Sequence, residues 1–194
     1  MNMCCATKVK IASTVRELMQ TRPINKITVQ DVMQRADMTR QSFYYHFQDI
    51  YDVLEWDVSN EMKVRLAFNG EQSFEDWCRE ILNGLSENQP LYRKMAEALG
   101  RTKIQEMALP YTRLQMKRLL YGTIKKFDDY SDDEQIALDF TSRTLVDSFL
   151  TLLFNRSHIN TQECMHHLRA VVSILQSKDA LHRNPSPQRA SVAC

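Results

Sequence analysis

The sequence predicts an all-α protein, and three observations indicate that class. Apolar residues recur at spacings of three and four along most of the chain, which is the period of a helix with one buried face. Only four glycines occur in 194 residues, so few positions suit the tight turns of a β protein. No segment shows the alternation of apolar and polar residues that predicts a strand.

The first two helices are predicted from their apolar period and their boundaries. Apolar residues follow one helix face from Ile11 to Met19, and Pro23 ends the segment. Thr28 with Asp31 three positions later is an acidic form of the capping box, and it opens a second helix.

A tight corner separates this second helix from a third. The corner needs a left-handed backbone, which Asp37 tolerates less well than glycine would. Thr39 then caps a short helix from Arg40 to Phe47. Three short helices with a tight corner before the third are typical of a helix-turn-helix module. Residues 1–48 are therefore predicted to form a DNA-binding domain.

The third helix carries more polar and aromatic side chains than a core helix needs. Phe43 and Phe47 are four residues apart, so they share one side and can pack on the first two helices. Arginine and glutamine on the other side can hydrogen-bond to base edges in the major groove, and Thr39 at the helix start offers free N–H groups for a phosphate. The outward-facing residues are Arg40, Gln41, Tyr44, Tyr45 and His46. The alternative, a plain three-helix unit, would require all of these aromatics to pack inside.

Charge is distributed unevenly along the chain. Residues 1–48 contain seven basic and three acidic groups, a net charge of +4. The remaining residues contain 18 basic and 21 acidic groups, a net charge of −3. A basic N-terminal domain on a mildly acidic remainder favours an anionic partner for that domain alone.

The stretch from Lys8 to Trp56, and above all TVQDVMQRADMTRQSFYYHF, resembles the TetR family of transcriptional regulators. The resemblance implies a homodimer that inserts paired recognition helices into successive major grooves of a palindromic operator. It implies phosphate contacts from Thr39 and Tyr44, base contacts from Arg40, Gln41 and Tyr45, and either role for His46. The full set of expected DNA-binding residues is Thr28, Thr39, Arg40, Gln41, Ser42, Tyr44, Tyr45 and His46.

Two positions depart from the family pattern. Asp37 stands where the family often has glycine, and Ile50 stands where it usually has a lysine that contacts a phosphate. The loss of that contact should weaken binding and slightly flatten its salt dependence. The segment FQDIYDVLEW also resembles a subgroup that includes the activator of dihydroxyacetone kinase operons, which answers to a protein co-regulator. The effector class, small molecule or protein, therefore stays open.

The remaining two-thirds of the chain is predicted to be a helical effector-binding and dimerisation domain over residues 49–178, followed by a tail over 179–194 with a disordered composition. Pro110 should break or kink one of its helices, Ser131 with Glu134 forms a capping box, and Thr161 caps the last helix. The predicted helices span residues 49–68, 73 onward, 88–99, 103–126, 131–155 and 161–177.

Two functional surfaces are expected in this part. Aromatic and methionine side chains could line a ligand pocket, although the same pattern also describes ordinary core. The pocket candidates are Trp56, Met62, Trp77, Met95, Tyr111 and Met116. Two of the helices could form a four-helix dimer interface, or could bury only intramolecular core. The dimer candidates are Phe140, Phe149, Leu152, Leu168, Val172 and Leu175.

Other function classes find little support. The cluster Glu163, Cys164, His166 and His167 lacks the HExxH spacing, and adjacent histidines on a helix point about 100° apart, so no metal site is predicted. No phosphate-binding glycine loop, GxSxG or paired CxxC occurs. We therefore expect neither an enzyme nor a cofactor. Five cysteines without a disulfide framework, no signal peptide and no membrane span indicate a cytoplasmic protein.

The predicted function is a cytoplasmic, homodimeric DNA-binding regulator, expected to be a repressor, whose partners are operator DNA and an effector. The alternative is a helical module that acts through a protein partner with weak or no DNA binding of its own. Ile50 and the modest charge of residues 1–48 support that alternative.

Overall fold

The computed structural model describes residues 3–66, 72–121 and 130–176, and within these ranges the chain forms nine α-helices and no strand. The all-α prediction is confirmed. A short 3-10 turn, Ile24–Lys26, joins the first two helices. The helices are α1 (Met3–Thr21), α2 (Val29–Ala36), α3 (Arg40–His46), α4 (Ile50–Arg65), α5 (Phe74–Glu87), α6 (Gln89–Leu99), α7 (Arg101–Tyr121), α8 (Asp132–Asn155) and α9 (Thr161–Gln176).

Helices α1 to α3, here called the head, pack together with the first half of α4. Apolar residues at the predicted helical period form most of their shared core. They include Ile11, Val15, Met19, Val32, Met33, Ala36, Phe43, Phe47, Val53 and Leu54. The same cluster of buried residues continues into α4, α6, α7 and α8, as far as Met95, Val146 and Leu150. The core therefore crosses the expected domain boundary between residues 48 and 49 without a gap.

Two local predictions at helix starts are confirmed. The Thr28 hydroxyl accepts from the Asp31 amide at 3.2 Å while the Thr28 amide donates to the Asp31 carboxylate at 2.8 Å. Ser131 and Glu134 form the same reciprocal pair at the start of α8, at 3.3 and 2.8 Å. Asp37 ends α2 with φ 50° and ψ 57°, the left-handed corner that the sequence required.

The predicted cap of α9 is wrong, and the predicted break of α7 at Pro110 is absent, whereas a kink there stays a prediction. Asn160, not Thr161, caps α9: its side-chain oxygen accepts from the Glu163 amide at 3.2 Å. Helix α7 continues through Pro110 without a break. Pro110 and Glu106, whose carbonyl loses its usual partner, both lie on the exposed side of the helix, where water can satisfy that carbonyl.

Helices α4 to α9, here called the body, contain a second apolar cluster where α5 meets α9, centred on Trp77, Leu82 and Ile159. Within the described ranges no helix is both long and apolar enough to span a bilayer. The predicted ends of the helices at residues 68 and 126, and the tail 179–194, lie outside the described residues.

Helix α6 joins the C-terminal end of α1 in the head to the C-terminal end of α8 in the body. The Lys94 ammonium donates to the carbonyls of Met19 and Gln20, at 2.8 and 3.2 Å, at the C-terminal end of α1. From the preceding position, Arg93 Nε donates to the Leu153 carbonyl near the end of α8 at 2.8 Å. Carbonyls at helix ends have no partner within their own helix, so α6 satisfies two such ends and ties α1 to α8.

Candidate DNA interface and body cavity

Helix α3 is anchored on one side by two buried rings. Phe43 and Phe47 are both almost fully buried, with ring centroids 6.0 Å apart, against the core of the head. The helix starts at Thr39, whose hydroxyl accepts from the Ser42 amide at 3.2 Å. The prediction that Phe43 and Phe47 belong to the core is confirmed.

The opposite side of α3 is exposed. Tyr45 is 80% exposed and Tyr44 60% exposed, and Arg40 and Gln41 are exposed beside them. The Tyr45 and His46 rings lie 4.8 Å apart in an edge-to-face contact. A seven-residue helix with one buried and one polar, aromatic face matches the shape of an element that enters a major groove.

The start of α3 is also tied to α2 by a contact that sequence reasoning missed. Arg40 Nη2 donates to the side-chain oxygen of Gln30 at 3.1 Å, and both residues are exposed. The two residues are ten positions apart, on different helices, so no local spacing could have indicated the pair. Gln30 therefore stands next to the predicted base-reading arginine.

Thr28 and Ser42, both predicted DNA contacts, form hydrogen bonds with other residues of the same chain. Besides forming the capping box, the Thr28 hydroxyl donates to Asp31 at 2.7 Å. Hydrogen bonds from Thr28 hold the pKa of Asp31 below its usual value. Ser42 is half-buried, and its amide serves the Thr39 cap. Their contact with DNA stays a prediction.

Ile50 and Lys8 change the electrostatics at the start of α4. Ile50 is only 7% exposed and packs in the core of the head, at the position where the resemblance implies a phosphate-contacting lysine. Lys8 of α1 instead lies over the rings of Phe47 and Trp56, with its ammonium 5.2 and 5.8 Å from their centroids. A cation therefore stays near this corner of the head, held on aromatic faces.

An ion-pair network crosses from the head to the body. Arg16 of α1 bonds Asp57 of α4 through Nε and Nη2, at 2.5 and 2.7 Å, and Nη2 also reaches Glu61 at 3.2 Å. Asp57 is 5% exposed. The hydrogen bond to Asp57 is the largest of several effects that raise the pKa of Arg16, against the opposing effect of burial.

Glu61 is the centre of this network. It also accepts from Arg65 Nε at 2.5 Å and from the Tyr92 hydroxyl at 3.0 Å. Burial acts to raise the pKa of Glu61, but the hydrogen bonds from Arg65, Tyr92 and Arg16 outweigh it and lower the pKa. Burial and the Glu61 charge raise the pKa of Tyr92. We call Arg16, Asp57, Glu61, Arg65 and Tyr92 the junction network.

A cavity of about 140 Å³ lies beside this network, between the two apolar clusters of the body. Helices α4 to α8 all contribute to its wall. Among the predicted pocket residues, Met62, Trp77 and Met95 line it. The network residues Glu61, Arg65 and Tyr92 also line it. They were not predicted from the sequence, because charged residues such as Glu61 and Arg65 at helical spacing usually indicate a face exposed to solvent.

The other three pocket candidates do not line this cavity. Trp56 is two residues before the lining residue Val58, about 200° around α4, and packs on Phe47. The α7 wall runs through Ile104, Ala108 and Thr112. Tyr111 precedes Thr112 by one residue and so points about 100° away from that face of α7, and Met116 lies one turn beyond Thr112.

The predicted dimer residues fall into two groups. Phe140 is 70% exposed on α8, next to Ile136, which is 67% exposed one turn earlier. Phe149, Leu152 and Leu168 instead pack on the second apolar cluster of their own chain. Val172 is half-buried, and the side chain of Leu175 lies outside the described residues. Among the predicted dimer residues whose side chains the structure describes, Phe140 in the N-terminal half of α8 is therefore the most exposed.

The histidine-rich segment of α9 does not gather metal ligands. In the described part of the chain, no group of three or more His, Cys, Asp or Glu side chains is placed to hold a metal ion. The His166 and His167 ring centroids are 5.8 Å apart and both side chains are exposed.

The left-handed corner, the buried anchors and the exposed face of α3 define a helix-turn-helix DNA-binding domain. Residues 11–55 match the family model of the bacterial regulatory proteins of the tetR family. The resemblance to the TetR family that was predicted from the sequence is therefore confirmed for this domain.

One relative matches a longer stretch of the chain than this domain. The dhaKLM operon transcriptional activator DhaS of Lactococcus lactis is 34% identical over 88 residues, which span 44% of this chain and 46% of that protein. The sequence match thus covers about half the length of that relative.

Similarity in fold covers more of the chain. A solved dihydroxyacetone kinase operon activator DhaS aligns with a TM-score of 0.67 and 18% identity, over 87% of this chain and 95% of its own. The TetR family repressor AlkX from Dietzia sp., implicated in biodegradation of n-alkanes, aligns with a TM-score of 0.54 and 15% identity, over 87% and 95%. At these identities the structures show the shared fold alone.

Proposed function

We propose that the protein is a transcriptional regulator that binds double-stranded DNA through α3 and works in the bacterial cytoplasm. One observation carries the proposal: Arg40, Gln41, Tyr44 and Tyr45 are all exposed on a helix whose other side is buried. Arginine and glutamine side chains can hydrogen-bond to base edges, and tyrosine hydroxyls can donate hydrogen bonds to phosphate oxygens.

The second part of the proposal is a homodimer on a palindromic operator. Half-sites on one face of B-DNA are about 34–36 Å apart for each turn, so two recognition helices must be held at that spacing. The exposed pair Ile136 and Phe140 supplies an apolar patch on α8 that a second copy could cover. An isologous interface would place this patch against its own equivalent.

The third part is control by an effector that binds in the body. The cavity is adjacent to the junction network, which reaches the head through Arg16. The direction of control stays a prediction. Repression was expected from the sequence, whereas the relative with 34% identity is named an activator, and the shared fold includes both an activator and a repressor.

A fluorescence-anisotropy titration tests the DNA-binding proposal. The purified protein is titrated against DNA from upstream of its own gene and against a scrambled duplex, at two salt concentrations. We expect a preference for the upstream DNA of at least about 10³-fold. Equal and salt-sensitive binding to both duplexes would contradict it and favour the alternative, a regulator that acts through a protein partner. A reporter fused to the bound sequence then gives the direction of control.

A further inference from the structure

We infer that the body cavity binds a compact, uncharged and largely apolar molecule about the size of one aromatic ring. The class of ligand is argued from the cavity wall alone. That this ligand is also the effector rests on the proposed function.

The wall of the cavity is apolar, and its few polar groups already have partners. The Thr112 hydroxyl donates to the Ala108 carbonyl at 3.1 Å, and Trp77 Nε1 donates to the Leu66 carbonyl at 3.3 Å. The Tyr92 hydroxyl donates to Glu61. A ligand rich in hydrogen-bond acceptors would lose its hydrogen bonds to water on entering the cavity, and the donors of these three groups are already used. Its unsatisfied acceptors would cost binding free energy.

The charges at the edge of the cavity are balanced before any ligand binds. Two guanidinium groups, of Arg16 and Arg65, face two carboxylates, of Asp57 and Glu61. An anionic ligand would lie next to Glu61, whose charge Arg65 already balances, and a cationic ligand would compete with Arg65 for Glu61. Breaking one side of a partly buried pair leaves an uncompensated charge, so the network favours an uncharged ligand.

The volume of the cavity sets the size of the ligand. At about 140 Å³ it is comparable to an engineered cavity of about 150 Å³, lined by Leu, Ile and Phe, that stays dry and binds benzene. The side chains around it are of the same kind, among them Ile104, Val146 and Leu150. Pockets for drug-sized ligands are typically larger, about 300–1,000 Å³. A single ring or a short alkyl chain fits these dimensions.

A ligand here would contact one hydrogen-bonded connection between body and head and lie next to a second. Tyr92 and Glu61 belong to the wall, and Glu61 bonds Arg16 of α1. Met95, also in the wall, directly follows Lys94, which bonds the end of α1. Because both contacts lead to α1, a ligand that shifts α6 or Tyr92 would change how the head is held.

The ligand class is tested with toluene as the probe and benzoate as its charged counterpart. Thermal unfolding midpoints are measured for the wild type, for Ala108→Leu, which fills the cavity, and for Ala137→Leu, an exposed control on α8. We expect toluene to raise the midpoint of the wild type and of the control but not of Ala108→Leu, and benzoate to raise none. An equal rise with benzoate, or a toluene effect that survives Ala108→Leu, would overturn the proposal.

A second measurement does not depend on how well Ala108→Leu folds. In wild-type protein labelled at the methionine methyl carbons, toluene should shift the signals of Met62 and Met95, which line the cavity, and leave that of Met33 in the head unchanged. Shifts confined to other methionines would place the toluene elsewhere and overturn the assignment.

The effector role has its own readout. With toluene bound, the affinity of the wild type for its upstream DNA should change by at least about fivefold, the lower end of ordinary coupling between sites. Toluene binding with unchanged DNA affinity would overturn the effector role while the ligand class stands. Absence of specific DNA binding with and without toluene would instead contradict the proposed function.

Discussion

The guanidinium of Arg16 on α1 forms a two-bond ion pair with the carboxylate of Asp57 on α4, at 2.5 and 2.7 Å. Asp57 is buried, and Glu61, which bonds the same guanidinium, lies one turn further along α4 in the wall of the cavity. The head is therefore held on the body by a pair that cannot be broken without leaving a buried charge.

Asp57→Asn should destabilise the protein by about 2 kcal/mol, because it removes a hydrogen-bonded charge pair while keeping the shape of the side chain. The free energy of unfolding from urea titrations measures the change. Glu55→Gln is the matched control, since Glu55 pairs with Lys103 at 2.7 Å on the surface and should shift the midpoint little. Equal effects of the two substitutions would show that burial of the Arg16 pair adds nothing.

Glu61 should contribute to the loss of stability in acid. Its pKa is lowered in the folded protein, so its contribution is complete above the unfolded value of about 4.5 and is lost as the pH falls below it. Glu61→Gln should therefore flatten the dependence of the urea midpoint on pH in this acid range. The exposed Glu87→Gln serves as control. A wild-type slope in Glu61→Gln would contradict the prediction.

Asp37 should tolerate only residues that accept a left-handed backbone. Asp37→Ala is expected to cost about 1 kcal/mol of stability, because a side chain without a local hydrogen-bonding group is disfavoured at φ 50°. Asp37→Asn and Asp37→Gly should be at least as stable as the wild type. Thermal or urea unfolding of the three variants distinguishes these expectations, and an alanine variant as stable as the asparagine one would refute them.

The exposed residues of α3 should divide into two classes in DNA titrations. Arg40→Ala and Tyr45→Ala should lose the preference for upstream over scrambled DNA, by about 1–3 kcal/mol for each lost base contact. Tyr44→Phe should weaken binding to both duplexes alike, because phosphates carry no sequence information. Tyr51→Ala, an exposed tyrosine on α4, is the control. Retention of full preference in Arg40→Ala would show that it does not read bases.

Phe140→Glu should shift the protein from dimer to monomer in light scattering after size exclusion, because it places a charge in the apolar patch proposed as the dimer interface. Val64→Glu is the matched control, since Val64 is an equally exposed apolar residue on α4. An effect of Val64→Glu alone would place the interface at Val64 on α4 and contradict the prediction.

Local patterns predicted the local structure well. The Thr28 and Ser131 capping boxes and the left-handed corner at Asp37 each involve residues within one turn, so the sequence contains all the partners. The cap of α9 is misplaced by one residue because Asn160 and Thr161 are both good caps. Pro110 was expected to break or kink α7. The break does not occur, because Pro110 lies on the exposed side of the helix, where water can satisfy the carbonyl that it leaves unpaired.

The sequence by itself determined the helical class, the three helices of the head, the two buried rings of α3 and the exposed face that would meet DNA. These follow from period, caps and amphipathic spacing, which act over a few residues. Only the tertiary structure decided that Arg16 pairs with Asp57, that Arg40 meets Gln30, and that Glu61 and Tyr92 stand in a cavity wall with Met62. Those contacts join residues on different helices, and they depend on how the helices pack, which no local pattern specifies.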